Sequence, residues 1–328
     1  MIMIFRAWLI VLVLLTWVGG AVAEDAAPPL YHQVAGGVET IKVTKRTSVV
    51  NLALVRGVRW PVVVGQNHLK KPYRLYPGQS IKINDTHIVP QELQNGLVIN
   101  LPELNLYYFK DGVYQQRYPL AVGKPSWPTP TGTYKICEKR RNPVWNVPPS
   151  IQEEMEETGQ RVVQKVPSGP KNPLGKFYMG TTAEGIGIHA TNHPWTIGYT
   201  VSHGCIRMLP KEIAKLYPQI AVGTPVKIIY RPIKIALTPE GRVYLEADLN
   251  VYRWELHSMD YVRGMAAYYH ITNLIDWSKV RGILRRRDGI AYDITKAPNT
   301  PATARIAAPS NSTAARLSPL HGKESKLE

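Results

Sequence analysis

Between Gly187 and Met208 the chain reads GIHATNHPWTIGYTVSHGCIRM, a stretch that gathers the residue types nucleophilic catalysis needs. Cys205 is one of only 2 cysteines in 328 residues; Ser202, His203 and Gly204 stand directly before it, and His189 lies upstream. A cysteine nucleophile requires an ionisable thiol, a base within reach and donors for the oxyanion. Consecutive amides of Gly204 and Cys205 can supply the donors, and Gly204 lets backbone approach a substrate closely. On an extended strand His203, Cys205 and Arg207 alternate onto one face. Arg207 there holds the local potential positive, binds a substrate carboxylate, or simply pairs with a nearby acid. His189 closes the apolar run Gly185-Ile186-Gly187-Ile188, at a sheet end. Trp195 and Tyr199, between His189 and Cys205, are candidates for a water-excluding wall at the substrate, or ordinary surface aromatics.

Other chemistries fit the same residue types. Cys137 and Cys205 are able to form a disulfide, which geometry decides; otherwise Cys137 is a small buried apolar residue on the strand TYKICEK. His189, His193, His203 and Cys205 are all acceptable zinc ligands. The spacing of His189 and His193 suits a helix, but Pro194 and the glycines before His189 argue against one. The site is therefore expected to hold no metal and no cofactor.

The surrounding elements must position these groups. Residues 1–23 carry Arg6, an apolar run from Ala7 to Val18 and a final Ala21-Val22-Ala23, the pattern of a cleaved secretory signal. The apolar run is short for a membrane span, the alternative being an uncleaved anchor. Residues 24–38 have linker composition. Residues 39–90 form a small α+β unit: a strand through Ile41 and Val43, a helix over 49–55 capped by Ser48, a turn at Pro77-Gly78 and a strand at Ile81–Ile83. Residues 96–230 are β-rich, with a hairpin at Asp111-Gly112, a helix in SIQEEMEETG capped by Ser150 and closed by Gly159, and another entered through Pro210. Residues 231–296 form a C-terminal extension of further strands and a helical pattern from Tyr261 to Ile283. Residues 297–328 read as a disordered tail.

The arrangement S-H-G-C-I-R, with His189 inside GIHAT, resembles the signature of the L,D-transpeptidase (YkuD-type) family. The resemblance spans 96–230 and includes NLPELNLYYF, TPTG and NPLG. The unit at 39–90, with its YPGQSIKI ending, resembles a LysM module, although Lys45-Arg46-Thr47-Ser48 stands where such modules have Gly-Asp-Thr and Trp60-Pro61 interrupts the second helix. The resemblance implies a mainly β chain: a β-sandwich catalytic domain behind a LysM-like module, with a C-terminal helical extension. It implies Cys205 as the acylated nucleophile, His189 as its base oriented through the Ala190 carbonyl, His203 as support for the thiolate, and Arg207 as structural or substrate-binding. Gly204 is read with the catalytic groups, and Ser202, Trp195 and Tyr199 with the substrate side, from the residues themselves. The implied reaction takes a peptidoglycan tetrapeptide stem, releases D-Ala, and passes the acyl group to an amine of a second stem or of a wall-anchored protein. A carboxypeptidase or hydrolase with the same thioester, and a non-catalytic peptidoglycan-binding protein, are the alternatives.

Charge agrees with an exported enzyme. The net charge is +16, with 40 Lys and Arg against 24 Asp and Glu. Removing a signal would take away one charge, that of Arg6. A basic protein outside the cytoplasm meets anionic wall polymer and lipid surface rather than nucleic acid, and the expected compartment is the periplasm.

Overall fold

The computed structural model describes residues 28–297. The expected signal at 1–23 and almost all of the expected tail at 297–328 lie outside the described residues. Among the described residues no helix is long and apolar enough to cross a membrane.

The centre of the molecule is a closed barrel. Its 8 strands run in the order Val113–Gly123, Ile206–Met208, Gly187–His189, Phe177–Thr181, Gly132–Arg141, Pro225–Ile229, Gly96–Asn100 and Asn105–Lys110, the last returning to Val113–Gly123. Every strand sends an apolar side chain into one interior, including Leu97, Leu106, Leu120, Ile136, Met179, Ile188, Ile206 and Val226. The expected sandwich is thus a barrel. The cause is the 11-residue strand Val113–Gly123, which pairs with Asn105–Lys110 along its first part and with Ile206–Met208 further on. Closure removes the exposed edges that two separate sheets would present. Thr200–Ser202 lies alongside the end of the same long strand.

A β-bulge between Ile136 and Glu138 turns Cys137 outward, so it is exposed rather than buried. Both cysteines are free thiols. The helix after Trp145 runs Pro149–Glu157, with Pro148 at its cap and Ser150 inside the first turn, so Ser150 does not cap it. Gly159, at a φ of +68°, follows its end as expected.

Residues 38–84 form the α+β unit. Val38–Lys42 pairs antiparallel with Ser80–Asn84, enclosing helices Val49–Val55 and Trp60–Gln66. The Ser48 hydroxyl accepts from the Asn51 amide at 3.2 Å. Trp60-Pro61 starts the second helix rather than interrupting it, since proline in a first turn forfeits no hydrogen bond. After the barrel, Ile233–Leu237, Val243–Ala247 and Tyr292–Asp293 make a sheet covered by two helices, Ser258–Tyr268 and Trp277–Arg286. The single helical run expected over 261–283 is broken: His270 takes a φ of +56° and Asp276 caps the second helix.

These parts are stitched together. Tyr31, in the stretch with linker composition, is buried and exchanges backbone hydrogen bonds with Ile235 (3.1 Å) and Leu237 (2.9 Å). The fully buried Lys234 ammonium bonds the Ile88 carbonyl at 2.7 Å, Glu246 at 3.1 Å and Glu103 of the barrel.

Candidate active site

The site forms where two short parallel strands lie side by side. Ile188 pairs with Ile206 and His189 with Arg207, so Cys205, directly before Ile206, falls next to Gly187. Paired residues of parallel strands share a face. His189, Arg207 and Cys205 are therefore on one side of the barrel wall. His203 is not part of that alternation. His203-Gly204 is a bend in which Gly204 takes a φ of +97°, and a Cβ at Gly204 would meet Ile186 at 2.8 Å. Glycine is needed for this turn, which swings His203 away from the strand's regular register.

The Cys205 thiol is half-buried and donates to the Gly185 carbonyl at 3.3 Å. Burial pushes its pKa up, while the Gly187 amide and the Arg207 charge pull it down. Gly187 can only be glycine here, because a Cβ would lie 2.5 Å from the Tyr178 ring. His189 is 3% exposed and its Nδ1–H donates to the Ala190 carbonyl. A carbonyl only accepts, so Nδ1 carries the proton and Nε2 keeps its lone pair. Burial brings this imidazole down to about 4, the Ala190 bond opposing and Arg207 assisting. His189 is thus neutral at physiological pH, with a basic nitrogen free. Arg207, half-buried, has its pKa lowered by burial against the opposing pull of Cys205.

His203 binds through Nε2 to the Glu154 carboxylate, whose other oxygen accepts from Lys124 at 2.7 Å. Trp127 packs edge-on against the His203 ring at 4.9 Å between centroids. Ser202 is 1% exposed and donates its hydroxyl to the Cys205 carbonyl. It braces the loop from within, whereas the sequence reading sets it on the substrate side. Trp195, 68% exposed, packs on His193 at 4.8 Å. Tyr199 accepts from the Trp60 indole at 3.4 Å and lines a cavity of about 350 Å³ between the N-terminal helices and the barrel. The four residues able to make a zinc site turn to different partners: a carbonyl, an indole, a carboxylate and a second carbonyl.

Several contributors carried no individual signal. Tyr178 lies opposite His189 in the adjacent strand, its ring 6.5 Å from the imidazole. Its hydroxyl pKa is raised by burial and then by Cys205. Glu154, Lys124 and Trp127 come from segments that only the fold brings to the site. Thr129, inside the TPTG motif, donates its hydroxyl to the Gly204 carbonyl at 2.7 Å. Tyr252 supports Thr129 from beyond the barrel.

Fold and site define a thiol enzyme built on a closed β-barrel, with a neutral buried histidine beside the cysteine strand. The family model for the L,D-transpeptidase catalytic domain (YkuD) matches residues 94–228. The chain is 31% identical over 228 residues to the probable L,D-transpeptidase ErfK/SrfK of Salmonella typhimurium, covering 66% of this chain and 73% of that one. It is 34% identical over 173 residues to the probable L,D-transpeptidase YbiS of Escherichia coli, covering 52% and 56%. A solved L,D-transpeptidase from Mycobacterium smegmatis aligns with 62% of this chain and 99% of its own at 20% identity, with a TM-score of 0.33. The chain belongs to the L,D-transpeptidase family, enzymes that depend on a cysteine.

Proposed function

We propose that this enzyme acts on peptidoglycan tetrapeptide stems in the periplasm. Cys205 attacks the carbonyl before the terminal D-Ala, D-Ala leaves, and a primary amine of a second stem or of a wall-anchored protein resolves the thioester. The observation that carries the reading is the His189–Ala190 hydrogen bond beside the cysteine strand. It fixes the tautomer whose Nε2 can take the thiol proton. Gly187 N–H, together with the amides of Gly204 and Cys205, offers donors to a thiolate and then to an oxyanion. Arg207 keeps the face electropositive for a substrate carboxylate.

The terminal pattern at 1–23 and the net charge of +16 support export to an anionic wall. The strand–helix–helix–strand order over 38–84 supports a LysM-like wall-binding module. A covalent acyl-enzyme conserves the energy of the cleaved amide where no nucleotide is at hand.

The test is the intact mass of the protein and of Cys205→Ala after incubation with purified disaccharide-tetrapeptide. An adduct equal to the stem less D-Ala, seen only with Cys205, supports the reading. Absence of adduct and turnover from folded protein with a titratable thiol overturns this substrate. A diaminopimelate–diaminopimelate product separates transfer from trimming of the stem.

A further inference from the structure

His203 and His189 are held in opposite tautomers. Glu154 faces Nε2 of His203, and an ionised carboxylate only accepts, so Nε2 carries the proton and Nδ1 keeps its lone pair when the ring is neutral. His189 has the reverse arrangement through Ala190. Burial differs too: His189 is sealed in the barrel wall, whereas the side chains of His203 and Glu154 are 19% and 40% exposed. One imidazole is closed off beside the thiol's strand and the other is partly open to solvent.

The Glu154 contact depends on an excursion from the barrel. Between Gly132–Arg141 and Phe177–Thr181 the chain leaves the wall, forms the short pair Trp145–Asn146 with Lys165–Val166, and carries the helix Pro149–Glu157. None of the helix's residues is fully buried, Ile151 and Met155 being half-buried, so apolar packing holds it down only weakly. Glu154 adds a tie to Lys124 and His203, beside the bond from Gln152 to the Val147 carbonyl at 2.8 Å. The Lys124 amide in turn donates to the Ser202 carbonyl at 2.8 Å, in the same loop as Cys205.

Acyl transfer to an amine needs two deprotonations at two places. The thiol must lose a proton to attack the donor, and the acceptor, a primary ammonium at neutral pH, must lose one to become a nucleophile. We propose that His203 is the base for the acceptor, and that Glu154 is a positioning residue for this second half-reaction, holding the ring and drawing the ammonium towards it. The inference rests on the reading of Cys205 as the acylated nucleophile. In the step, Nδ1 of His203 takes one proton from the ammonium. The freed nitrogen lone pair attacks the thioester carbon, the carbon–sulfur bond breaks, and its electron pair returns to Sγ. The second nitrogen proton passes to that thiolate, giving the new amide and the Cys205 thiol, while His203 returns its proton to solvent. A water nucleophile carries no positive charge for Glu154 to attract, so the contact favours transfer over hydrolysis.

The experiment measures the two halves separately on the whole chain, wild type, Glu154→Gln and Glu154→Asp. Acylation is followed as the rate of adduct formation from disaccharide-tetrapeptide. The isolated acyl-enzyme is then mixed with a disaccharide-tripeptide that offers its diaminopimelate side-chain amine, from pH 6 to 9. In Glu154→Gln, adduct formation is expected to stay within about twofold, aminolysis to slow about tenfold or more, and the share of hydrolysed product to rise. Glu154→Asp is expected to recover most of the transfer. Equal slowing of both halves, or an unchanged ratio of transfer to hydrolysis, overturns the proposal and leaves Glu154 a brace. A wild-type protein that forms no adduct overturns the underlying assignment of Cys205 instead.

Discussion

The Tyr252 hydroxyl accepts the Thr129 amide at 3.1 Å and donates to the Gly123 carbonyl at 3.1 Å. Thr129 passes the support on, its hydroxyl accepting from the Gly123 amide at 2.9 Å and donating to the Gly204 carbonyl at 2.7 Å. A residue outside the barrel therefore props the bend that precedes Cys205. Tyr252→Phe leaves a buried amide and a buried carbonyl short of a partner, with an expected loss of about 1–3 kcal/mol in chemical denaturation. Acylation is expected to slow, whereas the division of acyl-enzyme between amine and water stays as in wild type.

The histidine and the thiol have different pH dependences. Because burial holds His189 at about 4, its basic form persists well below the ordinary histidine value of about 6.5. The acid limb of the acylation profile is expected near pH 4 to 5. Burial acts oppositely on Cys205, raising it. Alkylation by iodoacetamide, which needs thiolate, is expected to keep climbing above pH 9, the reverse of a thiol activated in advance. Rates measured against pH check both limbs.

The same histidine links stability to acidity. Below about pH 6.5 the unfolded chain binds a proton that folded His189 refuses until pH falls to about 4. Stability is complete above the upper value and falls through this window, by about 3 kcal/mol from this residue alone. His189→Asn is expected to show a shallower slope of unfolding free energy against pH than wild type between pH 7 and 4.

Gly187→Ala places a methyl 2.5 Å from the Tyr178 ring and displaces the amide that faces the thiol. The expected cost is about 1–3 kcal/mol, the range for overpacking, with a marked fall in adduct formation. Pairing it with Tyr178→Ala is expected to recover stability, a non-additive result in a double-mutant cycle.

Cys205, His189 and His203 stand out in the sequence because S-H-G-C-I-R behind GIHAT resembles a family signature, and the proline and glycine punctuation located most barrel strands. Barrel closure was not legible. Whether Val113–Gly123 serves two sheets or one closed wall depends on which partners its two parts find, and local pattern does not carry that. Alternation gave the correct face for Cys205 and Arg207 but failed for His203, since one positive φ at Gly204 resets the register. The burial of Ser202 and its bond to the Cys205 carbonyl were not legible either, since both depend on how the loop folds back on itself. Glu154, although in the helix read from SIQEEMEETG, carries no signal of its own, and like Lys124, Tyr178 and Tyr252 it acquires meaning from neighbours far along the chain.

Lys234 offers a test away from the thiol. Its ammonium, fully buried, serves Glu103 and Glu246, and burial raises Glu246 to about 7 despite the opposing pull of Lys234. Lys234→Met leaves these carboxyls without their cation, at an expected cost of about 3–5 kcal/mol at pH 8. The loss is expected to shrink at pH 5, where a protonated Glu246 no longer needs a counter-charge; urea unfolding at both values measures the difference.

Tyr31 bonded to Ile235, and Ala291 bonded to the Thr86 carbonyl at 2.9 Å, impose an order on the birth of this protein. Tyr31 lacks its partners until Ile233–Leu237, the first strand of the extension, has been made, and Thr86 waits for Ala291. In a chain made N-terminus first, these tethers at Tyr31 and Thr86 are therefore tied only after every strand of the barrel has been synthesised.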